Sequence, residues 1–341
     1  MKARQLAPDF IKGLAIILMV YGHLTMVGSW ANWQNNATSW IYTFHMPLFL
    51  MISGIFFSVG SDPSGKMKKL LLRIGVPYLL FISLYLLGLK LIQQVGIATS
   101  NAPPSSALDF VKIVLLFPRG GYWFLHSLLL IQFSLLLGRL VAKRMGKTGE
   151  ATAGLLLSSL FMLLLSAFGV VQTRTILYFL IGMAIQSIAG RTLKAPFLLG
   201  VGGMVLVWTT DYYLQLNAFG GFTLTEVVWC ISILIATWGL ADRFSAAHGT
   251  RVVAWVGRNS LSVLVFHAIF VTMFKPVSEW CVRLEPTGWL YSIGTTLLVT
   301  VFCLLSAWVC DKIRISRRLF GTSQFYMSLR QDTTESVPTV K

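Results

Sequence analysis

Long apolar runs alternate with short polar and basic stretches along the 341 residues of the chain. A bilayer crossing takes about 20 apolar residues. On that measure ten spans are predicted: residues 10–28, 41–59, 71–95, 122–141, 152–171, 174–190, 195–211, 223–240, 252–274 and 289–310. An eleventh apolar stretch, Ala107 to Phe117, follows the turn-forming run Asn101 to Ser106 and is too short to cross, so it is expected to be interfacial or re-entrant. No soluble domain, linker or internal repeat interrupts the series. The expected class is all-α and polytopic, with a membrane domain over residues 1–320 and a disordered cytoplasmic tail over 321–341. The first run lacks an A-x-A cleavage site and carries a lysine and a histidine, so it is read as a retained span.

Composition agrees with this pattern. Hydrophobic residues make up 55% of the chain, charged residues 12%, and mean hydropathy is +0.72; soluble domains carry about 25% charged residues. The net charge of +16 raises the question of nucleic acid. However, the basic residues sit between apolar runs, as membrane orientation requires, and no nucleic-acid partner is expected. With the N-terminus in the cytoplasm, Lys2, Arg4, Lys66, Lys68, Lys69, Arg73, Arg139, Lys143, Arg144, Lys147, Arg191, Lys194, Arg243, Arg251, Arg258, Lys312, Arg314, Arg317 and Arg318 all fall inside. Lys112, Arg119, Arg174, Lys275 and Arg283 fall outside. The positive-inside rule therefore predicts two cytoplasmic termini and a multi-pass protein of the cytoplasmic membrane. Cys230, Cys281, Cys303 and Cys310 form no C-x-x-C motif and read as small core residues. No metal site is expected, since the histidines lack short ligand spacing and no carboxylate pair accompanies them.

The chemistry begins in the first span. Lys12 and His23 lie eleven residues apart, which brings a helix round to within about 20° of its starting direction, so both face one way, about 16 Å apart along the axis. Ionisable groups inside a span are costly and point to an interior path or site. In the predicted orientation Lys12 lies near the cytoplasmic surface and His23 deep toward the outer leaflet. A ligand spanning the pair is long, thin and phosphorylated, as coenzyme A is. Asp9, three residues before Lys12, either pairs with the lysine or caps the helix, and can do both.

Two further sets of residues join this pair. Asp9-Phe10-Ile11-Lys12-Gly13 followed by Tyr21-Gly22-His23 is one, and Phe44-His45-Met46-Pro47-Leu48-Phe49 leading into Ile52-Ser53-Gly54 is the other. Together they resemble the N-terminal signature of the acyltransferase 3 family of integral membrane O-acyltransferases, and within it the fucose 4-O-acetylase-like branch. Arg73-x-x-x-Pro77, Tyr122-Trp123-Phe124-Leu125, Gly257-Arg258-Asn259-Ser260-Leu261 and His267 extend the resemblance over most of the chain. It implies acyl transfer from cytoplasmic acyl-CoA, acetyl-CoA in the expected case, to a hydroxyl of an extracytoplasmic or lipid-linked carbohydrate. It also implies that His23 is catalytic, that acyl-CoA is a co-substrate, and that no resident cofactor is needed. Neutral imidazole in a channel away from water can take the proton of a weakly nucleophilic sugar hydroxyl. Lys12 stands where family members commonly have arginine; an ammonium neutralises phosphate but cannot fork across two oxygens.

The remaining candidates have two readings each. Arg73 and Arg258 are expected at the phosphates of the donor or as ordinary inside cations, and Lys68 and Lys69 likewise. His45 reads as an aid to His23 or the acceptor, or as a wetted interfacial histidine. Met46 and Pro47 read as packing and helix-start residues. Trp123 and His126 open the fourth span beside Arg119-Gly120-Gly121, as acceptor contacts or as an aromatic belt. His267, in a helix expected to start from a Ser260 cap, lines the path or fills the core. Trp30, Trp33 and Trp40 in the uncharged outer loop are read as a belt, with sugar stacking as the other use. A secondary transporter or glycan exporter is the alternative from another class, since transporters also bury isolated ionisable groups.

Overall fold

The computed structural model describes residues 5–94, 101–144, 150–191, 193, 196–214 and 223–329. Lys2, Arg4, Lys147, Lys194 and the tail beyond residue 329 lie outside the described residues. Among the described residues the chain is helical, without a strand. In chain order the helices are α1 (Leu6–Gly22), α2 (Ala31–Phe56) and α3 (Pro63–Leu70), which runs through a π-helical turn (Leu71–Gly75) into α4 (Val76–Gln94). Then follow α5 (Ala107–Leu115), α6 (Tyr122–Arg144), α7 (Glu150–Ala167), α8 (Thr173–Ala189), α9 (Phe197–Leu214) and α10 (Leu224–Arg243). The last are α11 (His248–Arg258), α12 (Ser260–Phe274), α13 (Val277–Leu284), α14 (Trp289–Lys312) and α15 (Ser316–Phe320).

Each predicted span falls on one of these helices or helix pairs. Among the described residues six are long and apolar enough to cross a membrane: α2, the joined α3–α4, α6, α9, α10 and α14. α11 and α12 make a seventh if the 79° bend between them lies within one span, and α7 and α8 are shorter apolar helices. The molecule is a multi-pass helical membrane protein. α9 shows the lipid-facing pattern most clearly, with Leu198, Leu199, Leu206 and Trp208 all exposed on an apolar helix.

The described chain divides into two compact units. Among the described residues the first holds 5–56, 178–308 and 326–329, and the second holds 57–177 and 309–325. In the first unit α1 is the central helix, with Ile11, Ala15, Ile16, Met19 and Val20 almost wholly buried. It begins four residues earlier than the predicted span and ends at Gly22 instead of running to residue 28. Pro8 is tolerated because the first-turn N–H groups have no partner inside the helix. Lipid tails are as apolar as leucine, so burial alone does not drive one span against another; close packing at small residues does. A Cβ on Gly257 would lie 1.8 Å from the Asp9 carbonyl oxygen, and one on Gly13 would lie 1.8 Å from that of Val253, so α1 and α11 cross backbone to backbone. α2 and α8 meet the same way at Gly54 and Gly182.

Two proline sites correct or extend the expectations. Pro47 lies inside α2, not at a helix start. Its missing N–H frees the Thr43 carbonyl one turn back, and the Cys230 thiol donates to that oxygen at 3.4 Å. Trp229 Nε1 donates to the Thr43 hydroxyl at 3.0 Å, so α10 meets the freed carbonyl through Cys230 and also holds the side chain of the same threonine. In the second unit Pro77 likewise frees the Arg73 carbonyl, and the helix relaxes there into the π turn that carries Arg73. Ser260 opens α12 but caps nothing; Asn259 occupies the cap position, without a side-chain cap bond, at the bend after α11. All four cysteines are buried free thiols.

Part of the expected tail is packed. Asn259 Nδ2 donates to the Met327 carbonyl at 3.0 Å, and Met327 N donates back to Asn259 Oδ1 at 2.8 Å. Trp255 Nε1 donates to the same carbonyl at 2.7 Å. In the second unit Phe325 stacks on Phe320 at 3.6 Å between ring centres.

Candidate functional site

The first unit gathers a cluster of three imidazoles. α1 terminates at Gly22, and His23 follows as the C-cap, with its N–H donating to the Met19 and Val20 carbonyls. The chain then extends, with Leu24 and Met26 buried while His23 and Thr25 are exposed. Leu24 and Met26 anchor in a core with Tyr21, Cys281 and Tyr291. His23 is thus at the mouth of the helix and not within a continuous span, because the helix ends there. α12, released from the line of α11 by the bend at Asn259, runs beside α1 and brings His267 to His23, with ring centres 5.2 Å apart and planes inclined 36°. α2 adds Tyr42, 6.4 Å from the His23 ring, and His45, 5.2 Å from the Tyr42 ring.

The three rings differ in their freedom. His45 is buried mid-helix in α2, and its Nδ1 donates to the Ile41 carbonyl at 2.8 Å. His267 is buried in α12, and its Nδ1 shares its proton between the Leu264 and Val263 carbonyls at 3.0 and 3.1 Å. A carbonyl only accepts, so in both rings Nδ1 carries the proton and Nε2 of the neutral form is the lone-pair atom. His23 is the exposed ring, and among the described residues no group hydrogen-bonds to it. The interfacial reading of His45 is therefore replaced by a buried, oriented one.

The other end of α1 is closed. Asp9 is buried in the first turn of the helix, not at its cap, and accepts from Lys12 Nζ at 2.8 Å. A quarter of the Lys12 side chain remains accessible. Arg258, half-buried, ends α11 directly after the Gly257 crossing, where its charge suits the negative end of the helix. Lys12, Asp9 and Arg258 therefore share one region of the first unit. α1 is unbroken from Leu6 to Gly22, so the axial distance of about 16 Å between Lys12 and His23 holds.

Arg73, Trp123 and His126 belong to the second unit. Arg73 is exposed in the π turn, and Lys68 and Lys69 are exposed in the helix before it. Trp123 is half-buried at the start of α6, edge-on to Phe124. His126 is buried, and its Nε2 donates to the Leu115 carbonyl at 3.0 Å, beside the Tyr78 hydroxyl, which donates to the Val114 carbonyl at 2.5 Å. These bonds tie α4 and α6 to the C-terminal end of α5. His126 Nδ1 is buried without a partner among the described residues.

Sequence reasoning missed Tyr42 and the loops beside the His23 end of α1. Gly28 and Gly288 both have positive φ, and a Cβ on Gly288 would meet the Val27 carbonyl oxygen at 1.9 Å. Ser29 N donates to the Pro286 carbonyl at 2.9 Å across this crossing. Glu285 accepts from the Thr287 hydroxyl and from the amides of Thr287 at 2.8 Å and Leu290 at 3.0 Å, and these bonds, the hydroxyl first, hold its carboxyl down to about 2. Trp33 and Trp289 meet edge to face beside this crossing. The signal for Tyr42 was its place three residues before His45, one turn along the same helix.

Curated relatives cover parts of the chain. It is 30% identical over 133 residues to the nodulation protein NolL of Sinorhizobium fredii, a match covering 37% of this chain and 34% of that protein. It is 46% identical over 55 residues to the nodulation protein NolL of Mesorhizobium japonicum, covering 15% of each. The chain thus spans about a third or less of the length of the curated relatives it matches. No solved structure matches. A family model described as an acyltransferase domain matches residues 5–311, which takes in α1, the His45 helix, the π turn and the broken α11–α12 pair, and so the chain belongs to the acyltransferase 3 family.

Proposed function

We propose that this protein is a membrane O-acetyltransferase that moves an acetyl group from cytoplasmic acetyl-CoA to a hydroxyl of an extracytoplasmic or lipid-linked carbohydrate, with His23 as the general base. One observation carries the choice of His23: of three neighbouring imidazoles it alone is exposed, while His45 and His267 are buried with Nδ1 committed to their own helices. An exposed neutral imidazole can accept the proton of a sugar hydroxyl as the oxygen attacks the thioester carbonyl. The C–S bond then breaks, the acetyl ester forms, and the proton passes to the departing thiolate, giving free CoA. Lys12, with one donor on Asp9 and part of its side chain accessible, offers its remaining donors to the donor phosphates, and Arg258 adds a second cation on that side of the unit. The length of α1 between Lys12 and His23 matches a donor whose charged and reactive ends are far apart. We assign the protein to the cytoplasmic membrane with both termini inside, on the distribution of lysine and arginine.

His23→Ala is expected to lower transfer by about 10² to 10⁴-fold, the usual contribution of a general base, without loss of membrane insertion. The assay is thiol release from acetyl-CoA by the purified protein, alongside mass spectrometry of surface glycans from cells with and without the gene. The mass difference also identifies the acyl group. Wild-type transfer by a correctly inserted variant sinks the assignment.

A further inference from the structure

We infer that Tyr42 is a positioning residue for His23: its hydroxyl, hydrogen-bonded to the Gly22 carbonyl at 2.5 Å, fixes the peptide from which the His23 side chain springs. This rests on the reading of His23 as the base, and deepens it.

The last carbonyls of a helix have no partner within it, and away from water an unmet carbonyl is costly. At the end of α1 the Gly22 carbonyl is met by Tyr42, a side chain from another helix. That carbonyl belongs to the Gly22–His23 peptide, which is planar. The other polar atom of the same peptide, His23 N–H, is held by the Met19 and Val20 carbonyls at 3.1 and 3.2 Å. Both polar atoms of one rigid plane are thus pinned, one by α1 itself and one by Tyr42. On the far side Leu24 is anchored in the apolar core. The Cα–Cβ direction of His23 is then set, and only its side-chain torsions remain, bounded by the rings of His267 and Tyr42.

The arrangement also explains the glycine before the histidine. A Cβ at position 22 would come within 2.7 Å of Tyr42 Cε1 and 3.2 Å of its hydroxyl oxygen. The Tyr42 ring is 44% exposed and can swing outward. Gly22→Ala therefore displaces the ring and breaks the bond while the rest of α1 keeps its packing, and alanine is the better helix former. Tyr42→Phe breaks the same bond and keeps the ring. A displacement of about 1 Å at a reacting group can cost about 10²-fold in rate.

Full-length protein in detergent is assayed by thiol release from acetyl-CoA, with the O-deacetylated surface glycan of the producing cells as acceptor. Tyr42→Phe and Gly22→Ala are each expected to lower kcat by about ten- to a hundredfold, with KM for acetyl-CoA and for the glycan unchanged. The double variant is expected to be no slower than the slower single one, because both remove one contact. Wild-type kcat in Tyr42→Phe overturns the inference, as does a raised glycan KM at unchanged kcat, which makes Tyr42 an acceptor contact instead. If Tyr42→Phe fails to fold, Gly22→Ala reads the same contact. An active His23→Ala protein defeats the assignment of the base; an inactive His23→Ala beside a fully active Tyr42→Phe defeats only the role of Tyr42.

Discussion

The two ends of α1 are built in opposite ways. At the Lys12 end, Gly13 and Gly257 bring two backbones together so closely that neither position has room for a methyl group, and Asp9 is buried against its lysine. At the His23 end the helix stops, the imidazole is exposed, and its backbone is held by hydrogen bonds and by alternate residues sunk into a core. The first end is held by packing, which admits almost no change. The second is held by a few directed bonds, which allow a side chain to face a substrate while its anchor stays still. Substitutions at the two ends should therefore fail differently: the packed end through assembly, the open end through chemistry.

The largest expected effect is at the packed end. Gly257→Ala places a Cβ 1.8 Å from a backbone oxygen that cannot turn aside, and overpacking of this kind costs about 1–3 kcal/mol or more. The yield of monodisperse protein in detergent and its melting temperature should both fall. Unchanged stability would show that α1 and α11 can separate, removing the contrast. Next comes Lys12. Lys12→Met leaves the buried Asp9 carboxylate without its cation, so it is expected to lower the melting temperature as well as to raise KM for acetyl-CoA by about tenfold, the loss of roughly one charge-assisted hydrogen bond, with kcat nearly unchanged. Lys12→Arg should retain most of the donor affinity. A fall in kcat with unchanged KM would place Lys12 with the chemistry of the far end.

The smallest effect concerns the loop closed by Glu285. Glu285 has its carboxyl lowered from about 4.5 to about 2 by the bonds from Thr287 and Leu290. A lowered value means that the stabilisation is fully present above the unfolded value near 4.5 and is lost as pH falls toward and through about 2. Exchange of the Thr287 and Leu290 amides, corrected for the intrinsic pH effect, should speed up across that window. Glu285→Gln should show no such window. Identical exchange in both proteins would detach the loop from this carboxylate.

How much of this was legible depends on the separation of the partners. The Asp9–Lys12 pair was readable because both residues sit on one helix at fixed spacing, and the structure closes it at 2.8 Å. The apolar runs were readable as helices for the same reason. Pro47 was misread because the local rule places proline at a helix start, whereas Cys230 and Trp229, far along the chain, serve the polar groups of Thr43 behind it. His267 carried two open readings, and its place beside His23 depends on the bend at Asn259. Tyr42 was missed because its partner, the Gly22 carbonyl, lies on another helix, and no local spacing joins the two.

The sequence by itself determined the helical membrane class, the family motifs, and the ionisable pair Lys12 and His23 in the first apolar run, because periodicity, hydropathy and short spacings are local properties. Only the tertiary structure decided which imidazole is exposed, which are tied to their own helices, and which hydroxyl completes the end of α1. Those outcomes depend on helix ends, bends and close crossings, where groups distant in the chain satisfy each other's polar atoms, and no local pattern carries that information.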